Sequence, residues 1–308
     1  MDSETGGEDM AAPDGDGKPP RTTTAQSREL GMELRTARKR AGMRGSTVAE
    51  ELGWSTAKLS KLEKGWRGTS PWEIGTLLGK CGTDKATRDR IMRLAHEPNI
   101  GCFVRPHDGG LADDLLSLSL HERTALTITC YEPMVIPGLL QVEKYTRALL
   151  ADTSGSADAL DTFVRTRAVR QAALRGDRAP TSTFYIHETA LHVTVGNPAT
   201  MHDQLARLTF LSDSERLTLR VIPMSAGGSA DLLRPSTLLT FGRGMRSLVV
   251  SETDAATVFA DEEQAVKAHQ RKHAALSTLA LNVERSRALL TDWADTYART
   301  NGGIPVRP

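Results

Sequence analysis

Apolar residues at Leu30, Leu34, Ala37 and Ala41 recur at intervals of four, three and four, which lays one stripe along a helix. It runs from about Ser27, which can cap it, to Gly42, which can end it. A short amphipathic turn over 47–52 puts Val48, Ala49 and Leu52 on one side, and Gly53 closes it. Trp54 and the N-cap residue Ser55 lead into a helix over 56–64. There Leu59 and Leu62 point inward, Thr56, Ala57, Lys58 and Lys61 point outward, and Gly65 is the stop. Two further amphipathic helices, one over 71–80 with Trp72, Leu77 and Leu78 and one over 84–96 with Ile91 and Leu94, complete an all-α module of five helices over 27–97. Pro98, Gly101 and Pro106 mark an exit into a linker over 98–110.

From about Leu111 the pattern changes. Short β-rich runs at 126–131, 183–187, 217–222, 237–241 and 247–251 alternate with helical patterns at 138–151, 158–175, 198–212, 262–281 and 284–297. This predicts an α+β domain over 111–300, with a mixed or antiparallel sheet flanked by helices. No internal repeat is evident.

The chain has 308 residues, enough for a small and a larger domain, and its 25% charged and 39% hydrophobic residues are those of a globular protein. Residues 1–26 depart from this: six acidic and two basic side chains among Gly, Pro and Thr predict a disordered acidic tail. No run reaches the roughly 18 apolar residues of a membrane span, and no signal peptide is apparent, so the expected location is the cytoplasm, on the nucleoid when bound to DNA. Cys81, Cys102 and Cys130 show neither disulfide-framework nor zinc-ligand spacing, and read as buried thiols.

The overall charge of +1 conceals an asymmetry. Between Arg28 and Arg67 ten basic residues face five acidic ones, a net +5, beside a tail of net −4. Two short helices about a Gly-centred turn, the second capped by Ser and studded with Lys, is the arrangement that sets a recognition helix into a major groove. The geometry needs a residue tolerant of positive φ at the turn, a small residue where the helices touch, and exposed residues early in the second helix that reach base edges. Gly53, Ala49 and the pair Thr56–Ala57 meet these needs in order. Taken alone, Lys58, Lys61 and Lys64 equally describe a solvated helix face.

The run STVAEELGWSTAKLSKLEKGWR resembles the xenobiotic-response-element family of helix-turn-helix domains, related to phage repressors, over about residues 28–82. Arg44, Gly45 and Ser46 stand where that family often has a Gln that supports DNA contacts. The resemblance implies base contacts from Thr56, Ala57 and Lys61, with Lys58 and Lys64 nearer the phosphates. Ala57 can meet a thymine methyl, and Lys61 can donate to guanine. Arg35, Arg38, Lys39 and Arg67 are expected to add sequence-independent phosphate attraction, and Ser55 lies among the phosphate-facing residues.

Farther on, YEPMVIPGLLQVEKYTRALL, VRQAALR, LRVIPMSAG and LLTFGRG are similar to the effector-like domain of actinobacterial WhiJ-like regulators, over most of 118–295. That resemblance implies regulation, and makes a small partner protein an alternative to a small-molecule effector. Leu139, Leu140 and Tyr145, after Pro137 and Gly138, either line a pocket or pack the core. Met224 opens a Gly-rich loop that suits ligand contact or plain connection. Arg165, Arg167 and Arg170 share a helical run that either binds an anion or is a solvated face. Double-stranded DNA is the expected partner, read by a homodimer. Leu276, Leu279, Leu289 and Trp293 on the last helices serve either that dimer interface or their own domain's packing.

An enzyme is not expected. His187 and His192 are five apart, whereas a zinc peptidase needs two histidines four apart on one helical face, and the preceding Phe184–Tyr185–Ile186 reads as strand. There is no G-x-S-x-G elbow, P-loop or dinucleotide fingerprint, and neither cofactor nor metal is implied.

Overall fold

A computed structural model describes residues 22–66, 70–107, 113–152 and 155–300. The first helix, α1 (Ala25–Arg40), begins two residues before the expected Ser27. Thr24 caps it and Ser27 closes a reciprocal capping box, so Ser27 acts from inside the helix rather than at its end. Helices α2 (Gly45–Glu51), α3 (Thr56–Glu63), α4 (Pro71–Lys80) and α5 (Lys85–His96) complete the N-terminal bundle. Leu34, Val48, Ala49, Leu59, Leu62, Leu77, Leu78 and Ile91 fill its core. Trp72 does not join them: it is 81% exposed at the start of α4, and Ile74 takes the inward position.

The second domain is α+β, as the pattern predicted. Its seven described strands are β1 (Cys102–Pro106), β2 (Thr127–Glu132), β3 (Thr181–His187), β4 (Leu217–Ile222), β5 (Ser236–Thr240), β6 (Leu248–Glu252) and β7 (Ala256–Ala260). They form one mixed sheet in the order β1-β7-β6-β5-β2-β3-β4, with β2, β3 and β4 parallel and the other pairings antiparallel. Along β2 the side chains alternate between faces, Ile128 and Cys130 to one core, Tyr131 to another. Helices α6 (Asp113–Glu122), α7 (Glu143–Leu150), α8 (Ala157–Gln171), α9 (Thr189–His192), α10 (Pro198–Leu211) and α12 (Val283–Arg299) accompany the larger core, while α11 (Glu263–Leu279) packs on the smaller one through Leu276.

The helix expected over 138–151 is a short turn at Gly138–Leu140 followed by α7; α6 and β7 lie where no element was expected, and two stretches at the domain junction depart from their expected boundaries. Residues 102–106, expected within the linker, are the edge strand β1, paired with β7 from Cys102 opposite Ala260 to Pro106 opposite Ala256. Pro106 read as a breaker, yet an edge strand tolerates proline because no neighbour asks for its missing N–H. The tail assigned to 1–26 lies outside the described residues up to residue 21. Thr23, within it, bridges to Met245, and Ala25 sits in the core of the second domain.

The candidate dimer residues Leu276 and Trp293 are both fully buried in their own domain, and Leu279 and Leu289 pack against the same cores. Packing, not an interface, accounts for them. No helix among the described residues is long and apolar enough to cross a membrane.

Candidate nucleic-acid interface

Gly53 adopts φ +64°, the left-handed conformation that turns the chain out of α2, and the Trp54 N–H donates to the Ala49 carbonyl at 2.7 Å across the turn. Ser55 then caps α3, its hydroxyl oxygen accepting from the Lys58 N–H at 3.1 Å. Leu59 and Leu62 anchor α3 in the core, which leaves Thr56, Ala57, Ser60, Lys61 and Lys64 exposed on the outer face. The fit behind this face is close: a Cβ at Gly31 of α1 would stand 2.8 Å from the Glu63 carbonyl oxygen, so only glycine lets α1 pass the end of α3.

The proposed base-facing residues Thr56, Ala57 and Lys61 therefore share one exposed helix surface. Among the phosphate candidates, Arg35 and Lys39 are exposed on α1, Ser55 is occupied as the cap, and Arg67 lies outside the described residues. Lys58 is engaged rather than free: its Nζ is 2.6 Å from Glu73 and 4.2 Å from the Trp54 ring centroid. Arg38 is a correction. It is buried and clamps Glu63 bidentately at 2.6 and 2.9 Å, and it also donates to the Met43 carbonyl. It ties α1 to α3 instead of facing a phosphate. In sequence its place on α1, one turn from exposed cations, gave no sign that a carboxylate 25 residues on would take it inward.

The two domains are welded through α1. Arg105 of β1 pairs with the buried Glu29 at 3.1 Å and with the partly exposed Glu97 at 2.9 Å, and Asp261 accepts from the Ala25 N–H at 2.6 Å. Arg28 lies 4.3 Å over the Phe241 ring. His121 is fully buried beside these cations, and neither ring nitrogen has a partner among the described residues. Burial, then the charges of Arg28 and Arg105, push it down to about 3.

Inside the second domain a cavity of about 60 Å³ is lined by Glu122, Glu132, Arg167, Arg170 and Glu252 together with Leu139. Arg170 is clamped by Glu122 at 2.8 and 2.9 Å. Burial, then the neighbouring Glu252 charge, pushes Glu132 up to about 8, and burial lowers Arg167 to about 10. Arg167 also donates to Gln141. The solvated-face reading of this arginine run thus fails for Arg170, while Arg165 stays exposed.

Of the four residues expected to form a pocket, Leu139 lines this cavity and Leu140 a neighbouring hollow. Tyr145 is core, its hydroxyl accepting from the Ile136 N–H. Met224 is 55% exposed and sits apart, beside Glu188 and Thr189. His187 ends β3 and His192 ends α9, and among the described residues no group of three or more His, Cys, Asp or Glu is placed to hold a metal ion.

Comparison with known families agrees with this division. A helix-turn-helix domain model matches residues 29–91, and the model of a domain of unknown function (DUF5753) matches residues 115–292, more than half of the chain. No curated protein matches it.

Proposed function

Because the chain belongs to the family of the domain of unknown function DUF5753 and carries a helix-turn-helix domain ahead of it, we propose that it is a sequence-specific transcription regulator whose second domain senses a small molecule. The observation that carries the DNA-reading half is the capped, core-anchored α3 with Thr56, Ala57 and Lys61 on one exposed face. Lys64 beside them and Arg35 and Lys39 on α1 supply phosphate contacts. A single helix of eight residues with three base-facing side chains discriminates by a few contacts of about 1–3 kcal/mol each, too little against the many competing sites of a genome. We therefore infer a homodimer reading two half-sites.

The charged cavity supports sensing. Unlike an apolar void, its carboxylates and guanidinium retain hydrogen-bonding capacity, and its volume suits a few waters or a small polar molecule. The likeness to WhiJ-like regulators supports the same reading, as it supports a chain that binds rather than catalyses and that resides in the cytoplasm. Control by a small partner protein is the second reading. It draws on Phe210 and Leu233, large apolar side chains 68% and 75% exposed on the second domain. Co-purification from the native cell separates the two, by a stoichiometric small protein or a bound metabolite.

The DNA-reading half is tested by fluorescence anisotropy on the duplex upstream of the protein's own gene, at several salt concentrations, beside Lys61→Ala and Thr56→Ala. Tight, salt-steep binding that the variants weaken supports the reading. Equal binding of upstream and random DNA by wild type and variants alike refutes sequence-specific reading by α3.

A further inference from the structure

A basic groove of about 720 Å³ lies between the two domains. Arg35 and Lys39 reach it from α1, Arg123 from the turn after α6, and Arg175 and Arg178 from the chain beyond α8. All five are exposed, no carboxylate lines the groove, and none of the five joins an ion pair among the described residues. Arg147, by contrast, pairs with Glu143 and Asp161, and Arg287 with Asp213. Five cations without an ion pair among the described residues, gathered from separate elements, raise a local positive potential that an extended anion lowers best.

The position of the groove identifies that anion. Arg35 also lines the hollow at the base of the recognition helix, together with Thr56, Ser60 and Lys64. The two hollows share Arg35, so cations mark one path from Lys64 on α3, across α1, onto the second domain, with Glu63, held by Arg38, also lining the first hollow. We propose that the groove carries the sugar-phosphate backbone of double-stranded DNA flanking the site read by α3, with Arg123, Arg175 and Arg178 as phosphate ligands. This rests on the DNA-reading assignment above and extends it to a domain whose function is otherwise unknown.

The placement gives the second domain a direct hold on DNA affinity. Leu118 and Glu122 of α6 line the internal cavity, while Leu120 on the same helix lines the groove. Arg167 and Arg170 of α8 likewise line the cavity, and Val169 between them lines the groove. The two helices are a shared wall, so a displacement on the cavity side moves the phosphate ligands on the other.

The test is the salt dependence of binding by the full-length protein to a fluorescein-labelled random-sequence duplex. The groove variant Arg123→Gln/Arg175→Gln/Arg178→Gln is compared with wild type and with a control of equal charge loss, Arg165→Gln/Arg271→Gln/Arg299→Gln, whose residues are exposed outside the groove. Thermal unfolding and thermal stabilisation by inorganic phosphate are followed for all three proteins. Each lost phosphate contact lowers the slope of log K against log[salt] by roughly 0.9, so the groove variant is expected to fall short of wild type by about 2.7 while unfolding at the same temperature. The control keeps the wild-type slope. An unchanged slope in the groove variant overturns the proposal and leaves α3 as the DNA reader. Equal losses in both triple variants overturn it in favour of net charge alone. Loss of phosphate stabilisation in the groove variant at an unchanged DNA slope overturns it in favour of a small-anion site. Failure of the wild-type protein to bind DNA at the lowest salt overturns it together with the DNA-reading assignment.

Discussion

Both domains bury ion pairs, but among the described residues only the second gathers charged groups around an internal cavity. In the helix-turn-helix bundle the cations stand on the surface around an aliphatic core, and the Arg38–Glu63 clamp is taken inward. In the second domain and at its junction with the first, ion pairs are built into the interior, Glu122 with Arg170 and Glu29 with Arg105, while Glu132, pushed up to about 8, is a neutral acid near Arg167 at neutral pH. Surface charges act through their field, contribute little to stability, and are free to meet a partner. Interior charges are held by one another, and removing one strands the other in a medium that solvates it poorly.

The sharpest way to break this contrast is Arg38→Ala. If Arg38 is a structural clamp, the variant loses about 3–5 kcal/mol of stability by leaving Glu63 buried and unpaired, read as a fall in the urea midpoint. A variant of normal stability with weakened DNA binding would instead return Arg38 to the phosphate-facing set. Gly65→Ala comes next. Gly65 has φ +71°, and a Cβ there would stand 2.5 Å from the Ser27 carbonyl oxygen. We expect a loss of about 2–4 kcal/mol from left-handed strain and overpacking combined, with DNA affinity falling because α3 loses its seat against α1.

The third prediction concerns the weld between the domains. The unfolded His121 takes up a proton near pH 6.5, and the folded one holds off until about 3. Between those values the unfolded state binds more protons, so stability falls as pH falls, by about 1.4 kcal/mol per pH unit, and is fully present above pH 6.5. His121→Phe, which keeps the ring against Phe241 and Phe259, flattens the acid limb by one proton. The remaining slope belongs in part to His273, which burial pushes down to about 4. Urea midpoints across this range check it, and an unaltered limb in the variant would remove His121 from the account. Smallest of all is Lys61→Ala, expected to change stability by less than about 0.5 kcal/mol because the side chain is exposed and unpaired among the described residues. Its effect belongs in DNA binding.

The same contrast explains what could be read from the sequence. The bundle was legible because its signals are local: the Leu30–Leu34 spacing, the Gly53 turn and the Ser55 cap act within one turn of where they stand. Of its functional candidates the exposed ones kept their places, and Arg38 failed because its partner Glu63 lies on another helix. In the second domain the five expected strands correspond to β2–β6, but β1 and β7 pair across 150 residues or more and carry weak local patterns between Pro98 and Pro106 and after Thr253. The cavity was illegible for a related reason. Glu122, Glu132, Arg167 and Glu252 come from four separate elements, two helices and two strands, and only the packing of α6 and α8 on the sheet brings them together. Arg170 gave a partial signal, as one of three arginines on a helical run, without any hint that it would turn inward to Glu122. The cationic track from Lys64 through Arg35 to Arg178 crosses both domains and appears only once α1 is seated against α6.

The proposed DNA reading rests on α3 meeting base edges, and the most direct measurement of that is selection of bound duplexes from a randomised pool by the wild-type protein and by Ala57→Gly and Lys61→Ala. We predict an inverted repeat for the wild-type protein, with half-sites about one helical turn apart, and in each variant the loss of preference at one position per half-site with the rest of the motif kept. A motif that is identical in wild type and variants, or the absence of any enriched motif, would contradict the assignment of α3 as the recognition helix.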